Sequence, residues 1–170
     1  MARIIYKKGL EDQNRLECIE GIEIELLNGQ KALIYPKYSE EAMLPMDKIA
    51  SWDAKGNSEI DALKKEDNLW ATGALLRCGS PAAEHVSNFR SDKYGIFGLP
   101  TLLAAMELQH QKDDIDALAE TIEGADLLRN FISSVWSCSR SSEGGVWIGS
   151  GNSLYIPVLA VPIVLYDSII

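Results

Sequence analysis

The sequence predicts an α+β domain. A hairpin with a period of two opens the chain, helical spacing marks its middle, and short strands with glycine turns crowd its last third.

The hairpin is read from "GIEIELLNGQKALIYPKY". Ile22, Ile24 and Leu26 alternate with Glu23 and Glu25, which places the apolar residues on one buried face. Asn28-Gly29 is a strong turn signal, because both residue types accept positive φ. Ala32 to Tyr35 returns as the partner strand, and Pro36 stops it. Beyond the hairpin, "EIDALKKEDNLW" carries Ile60 and Leu63, with Asp61 four residues before Lys65, and suits a short helix. "LWATGALLRCG" is compatible with strand or helix. "SPAAEHVSNF" offers Ser80 as an N-cap and Pro81 at the first helical position, with Ala82, Val86 and Phe89 on the inner side.

Two further helices follow. In "GLPTLLAAMELQHQ", Leu99, Leu102, Leu103 and Met106 keep helical spacing. In "DDIDALAETIEG", Asp113 or Asp114 is the expected cap, Ile115, Leu118 and Ile122 form the stripe, and Gly124 is the stop. Short strands are then expected at Val135 to Cys138, Val146 to Ile148, and Leu154 to Tyr166 with at least one break. Gly144, Gly145, Gly149 and Gly151 supply the turns.

The totals narrow the function. The chain has 170 residues, enough for one domain with a substantial core. Lys plus Arg total 16 against 25 Asp plus Glu, a formal net charge of -9, so phosphate backbones are repelled and nucleic acid is not an expected partner. Cys18, Cys78 and Cys138 form no CxxC pair, which excludes a zinc ribbon or a dithiol motif, and an odd count favours a reducing compartment. The opening "MARIIYKKGLEDQ" has too short an apolar run for a signal peptide, so a cytoplasmic location is expected. The apolar run Leu154 to Tyr166 contains Pro157 and Pro162 and is shorter than the roughly twenty residues of a spanning helix, so it is read as core strand and no membrane partner is expected.

Each candidate for chemistry has a plainer competitor. His110 continues the stripe of Leu103 and Met106 and reads as a core-edge histidine, while His85 falls on a polar flank without a partner motif. Cys138 has Arg140 nearby, and a cation lowers a thiol pKa, yet a cysteine on a strand beside tryptophan usually fills core. "SEGGVWIGSGNS" lacks the lysine and following helix of a phosphate loop. Asp113, Asp114 and Asp116 lead straight into a helix and lack the glycine bend of a calcium loop, so no metal and no cofactor are expected.

These segments together resemble a known group. They look like short bacterial and phage-associated proteins with a C-type-lectin-like fold, related to the Lcl-type C-terminal domain. The matching stretches are Gly21 to Tyr35, Leu99-Pro100-Thr101, Trp136-Ser137, Val146-Trp147-Ile148 and Val161-Pro162-Ile163, within residues 21–36 and 95–166. The resemblance implies one domain over 1–170, with 37–94 as the place for an insertion, and adds a phage particle as the alternative location. Val161 stands where the group usually has arginine, and Cys138 where a second serine is common. The formylglycine-generating enzymes of this fold need a cysteine pair and an "RGGSW" type segment, and the calcium lectins need Glu-Pro-Asn or Gln-Pro-Asp followed by Trp-Asn-Asp. The chain has none of these.

The expected function is a non-enzymatic binding or structural module for a protein or carbohydrate ligand. Its face is assigned to Arg140, Ser141, Ser142, Glu143, Asn152 and Tyr155, whose Ser, Asn, Tyr and Arg chemistry is that of an adaptable binding surface. A cysteine-dependent enzyme centred on Cys138 is the alternative. Trp136 and Trp147 are expected on adjacent strands, anchoring a small sheet against the helix of Leu102 and Met106.

Overall fold

The computed structural model describes residues 2–40, 68–77, 80–130, 135–136, 147–148 and 159–167. The helix expected around Ile60 and Leu63 lies outside them, as do Cys78 and Cys138. Within them the fold is mixed α+β. The strands are β1 (Arg3–Tyr6), β2 (Ile19–Glu25), β3 (Lys31–Ile34), β4 (Ser39–Glu40), β5 (Arg90–Ser91), β6 (Gly95–Ile96), β7 (Val135–Trp136), β8 (Trp147–Ile148), β9 (Leu159–Ala160) and β10 (Ile163–Tyr166). The helices are α1 (Asn68–Arg77), α2 (Pro81–Ser87), α3 (Leu102–His110) and α4 (Lys112–Ala119). No helix among the described residues is long and apolar enough to cross a membrane.

The first sheet has the order β1-β2-β3-β10 and is antiparallel throughout. The hairpin register pairs Ile22 with Ile34 and Ile24 with Ala32, so the alternation puts these four on one face. Against that face lie Ala104, Ala105 and Leu108 of α3 and Ile115 and Ala119 of α4, with Ile19 and Ile163 completing the cluster. The opposite face carries Leu33 and Val164, covered by Phe97 and by the half-buried Tyr35, Phe89, Tyr94 and Tyr166. Both faces of the sheet are therefore occupied, where the alternation suggested a single buried face. Glu23 lies only 3 % exposed under the aromatic layer.

The hairpin turn differs from the two-residue form that Asn28-Gly29 suggests. Gly29 N–H donates to Leu26 C=O, Leu26 N–H to Gln30 C=O, and only Gly29 is left-handed, at φ 86°. This is the three-residue loop with a left-handed glycine, and the Asn28 side chain accepts from Gln30 N–H to close it. On the other side of β2 the register slips between Ile5 and Tyr6, because Tyr6 pairs with Ile19 while Ile5 pairs with Gly21. Glu20 is the extra residue of this bulge. The slip turns Ile19 into the apolar cluster and sends Glu20 elsewhere.

The helices follow their caps. Ser80 Oγ accepts from Ala83 N–H with Pro81 at the first position of α2, and Thr101 Oγ1 accepts from Ala104 N–H at the start of α3. Two helix expectations are corrected. The buried side of α3 is Ala104, Ala105 and Leu108, whereas Met106 is 43 % exposed. The stripe is turned because alanines pack closest to the sheet. Neither Asp113 nor Asp114 caps α4. Gln111 takes that position, and the two aspartates sit in the first turn, where the helix dipole favours them. The undecided segment after Asn68 is helical. Thr72 Oγ1 donates to Asn68 C=O and accepts from Leu99 N–H, which clamps α1 onto the residues leading to α3.

The apolar run near the end does break. Val161-Pro162 separates β9 from β10, and the two strands join different sheets: β10 pairs with β3, while β9 lies between β4 and β7 in the second sheet, β4-β9-β7-β8. Trp136 and Trp147 stand directly opposite each other in the antiparallel pair β7–β8, as expected for adjacent strands, and α3 lies against β8.

Candidate functional site

The second sheet frames the residues assigned to binding. Arg140, Ser141, Ser142, Glu143, Asn152 and Tyr155 lie outside the described residues, but the strands that hold them are placed. Segment 137–146 joins the end of β7 to the start of β8. Segment 149–158 joins the end of β8 to β9. Because β8 is antiparallel to β7 and β9 parallel to it, the two segments leave from opposite ends of this sheet.

The remaining sequence candidates have structural partners. His85 Nε2 lies 3.0 Å from the Lys37 carbonyl, and its ring meets Phe89 edge-on. His110 is exposed rather than part of a core edge, with Nδ1 3.4 Å from Glu107 Oε1. Cys18 is buried, and Arg15 donates toward its sulfur at 3.6 Å. The three aspartates do not converge. Asp113 and Asp114 are exposed, and the buried Asp116 accepts from Leu128 N–H at 2.6 Å and Arg129 N–H at 2.9 Å, capping the short 3-10 turn Leu128–Asn130. No group of three or more metal-ligating side chains occurs among the described residues.

The structure adds two sites that sequence reasoning missed. The first is the Glu23 cluster. Glu23 Oε1 accepts from Arg3 Nε at 2.8 Å, Lys31 Nζ lies 3.7 Å away, and the Tyr166 hydroxyl donates to Oε2. Tyr94 stacks on Tyr166 with ring centroids 4.1 Å apart. Burial alone would raise the Glu23 carboxyl, but the Arg3 and Tyr166 hydrogen bonds and the two cations outweigh it and hold it below the usual range. Burial, then the bond to Glu23, pushes the Tyr166 hydroxyl up. Every polar atom named here is spoken for within the cluster, which makes it a structural network.

The second is an open cleft of about 620 Å³ beside the bulge. Tyr6, Lys7, Lys8, Leu10, Glu11 and Glu20 line it from the first two strands and their connection, and Asp92 and Lys93 from the β5–β6 turn. Glu20, 5 % exposed, ties the two parts together: its Oε2 accepts from Ser91 Oγ at 2.6 Å and Asp92 N–H at 3.1 Å. Ser91 Oγ in turn accepts from the Lys93 and Tyr94 N–H groups. Nothing in the sequence marks this cleft except the pair Lys7-Lys8, because Lys93 is distant in the chain and the bulge has no sequence signature.

No family model matches the chain, and no curated protein or solved structure does.

Proposed function

We propose that the chain is a non-enzymatic binding module with a C-type-lectin-like arrangement, and that segments 140–143 and 149–155, which leave the second sheet from opposite ends, each carry part of its binding surface. The observation that carries this reading is the second sheet. The described strands β7, β8 and β9 pair with one another and directly precede or follow residues 137–146 and 149–158 in the chain, where the candidate binding residues fall. Binding residues are commonly displayed on segments whose ends a rigid element fixes, and Ser, Gly, Asn, Arg and Tyr are suited to that use. Support also comes from the first sheet, which ties the early hairpin to the late strand β10, and from α3 and α4 packed on one of its faces. Trp136 opposite Trp147 fits the expected anchor of the second sheet. The ligand class is a protein or a carbohydrate.

The test combines binding and labelling. The labelled protein is applied to a glycan array and a displayed-peptide library, beside a variant with Arg140, Glu143, Asn152 and Tyr155 changed to Ala. Wild type is expected to bind and the variant to lose at least about tenfold in affinity, or about 1.4 kcal/mol. Equal binding by both would remove the face. Rapid alkylation of Cys138 in the native protein at neutral pH, together with no binding, would favour a cysteine-dependent enzyme instead.

A further inference from the structure

We propose that the cleft between the β1–β2 bulge and the β5–β6 turn is a second binding site, and that it takes an acidic sugar, meaning a pyranose carrying a carboxylate or a phosphate. It shares no residue with segments 140–143 and 149–155, and its ligand is independent of theirs.

The charge pattern points to an anion. In a chain of net charge -9, three lysines, Lys7, Lys8 and Lys93, line one opening. None of them takes part in an ion pair within 4.0 Å among the described residues, whereas Lys31, Lys37, Arg3, Arg15 and Arg129 all do. Lys93 only lies over the Tyr94 ring, at 5.2 Å. Glu11, Glu20 and Asp92 line the same opening, but none of them lies within ion-pair distance of the three lysines, Glu11 accepting from Gly9 N–H and Glu20 from Ser91 Oγ and Asp92 N–H.

The wall points to hydroxyls. Glu20 is a buried carboxylate whose Oε2 carries two hydrogen bonds, while no described residue donates to Oε1. Glu20 lines the cleft, so Oε1 is left as an acceptor for a donor that a ligand brings. Ring hydroxyls beside an acid group supply several such donors together with the charge that the lysines take. Beside it, Leu10 and the half-buried Tyr6 supply apolar surface, the Tyr6 hydroxyl being occupied by Asn14. An aromatic wall, a fixed acceptor and a cationic rim suit a sugar ring with an acid group. The volume of about 620 Å³ lies within the range of small-ligand sites.

Glucuronate, glucose 6-phosphate, glucose and inorganic phosphate are titrated in turn into the isotope-labelled full chain at low ionic strength, with amide shifts as the readout. At least one acidic sugar is expected to move the amides of Lys8, Glu11, Asp92 and Lys93 and to bind about tenfold more tightly than glucose or inorganic phosphate. Which acidic sugar wins identifies the acid group. The double variant Lys8→Glu, Lys93→Glu changes only exposed side chains and is expected to lower that affinity at least about tenfold at unchanged melting temperature. Glu20→Gln is expected to weaken the sugar and spare inorganic phosphate. The proposal is overturned if neither acidic sugar moves these amides up to about 10 mM. It also fails if the double variant binds like wild type, or if inorganic phosphate binds as tightly as glucose 6-phosphate.

Discussion

Single residues decide how the first sheet closes. A Cβ built on Gly21 would lie 2.5 Å from the Ile34 carbonyl oxygen and 2.9 Å from Leu33, so β2 and β3 approach there more closely than any side chain allows. Gly21→Ala is expected to cost about 3 kcal/mol in chemical denaturation, the upper range for overpacking. Gly29→Ala, with open space around it but φ 86°, should cost about 1 kcal/mol. Equal losses would show that crowding at Gly21 is not the cause. Glu23 sets the pH dependence. Its carboxyl is lowered in the fold, so its contribution is present above the unfolded value of about 4.3 and is lost as pH falls through the folded value. The Tyr166 hydroxyl is raised, so stability falls as pH rises above the unfolded value of about 10. Glu23→Gln should cost about 2 kcal/mol at neutral pH and flatten the acid limb, the exposure of Arg3 keeping the figure modest. Tyr166→Phe should flatten the alkaline limb. Urea titrations from acid to alkaline pH check both signs. The Glu23-Ile24-Glu25 alternation was readable as strand, but burial of Glu23 was not, because the layer that covers it comes from Tyr94, Phe97 and Tyr166, distant in sequence.

At the scale of elements, caps and periods were legible and faces less so. Ser80-Pro81 and Leu99-Pro100-Thr101 mark the starts of α2 and α3 through local hydrogen bonds, which sequence encodes directly. The inner face of α3 was misjudged because large residues were weighed and alanines were not. Ala104 and Ala105 are wholly buried, since a helix lying close to a sheet has room there only for methyl groups. Met106→Lys is accordingly expected to change stability by less than about 0.5 kcal/mol. Ala105→Leu should destabilise by about 1–3 kcal/mol. The reverse order in thermal melts would restore Met106 to the core. In the second sheet, Trp136 and Trp147 occupy opposed positions. If they anchor it as the sequence suggests, truncating either to Ala costs about 3–5 kcal/mol. Arg140→Ala and Asn152→Ala should cost about 0.5 kcal/mol or less. If Trp147→Ala unfolds like wild type, that residue belongs to a surface instead.

Across the whole molecule the joins are made by residues far apart in the chain. The α+β class was readable from the order of patterns, whereas the division of the late apolar run between two sheets was not, because pairing partners are a tertiary choice. Leu159, Ala160, Val161, Ile163 and Val164 are all buried, and Gly98 bridges to Ile163 by two backbone hydrogen bonds. A chain ended after residue 158 should therefore show no cooperative urea transition by circular dichroism. A sharp transition in that fragment would mean that the first sheet stands without β10. The lysine-lined cleft was invisible for the same reason: its two sides are joined by the bonds from Ser91 Oγ and Asp92 N–H to Glu20, about seventy residues apart in the chain.

The pairing of β3 with β10 also bears on how the protein is made. Ile34 must wait for Ile163, roughly 130 residues later, which at about 5–20 residues per second is on the order of ten seconds of synthesis. During that interval the edge of Lys31–Ile34 offers unsatisfied backbone groups and the side chains of Ala32, Leu33 and Ile34 to any strand it meets. The nascent chain is thus exposed to mispairing with its neighbours on a crowded polysome until β10 has been made.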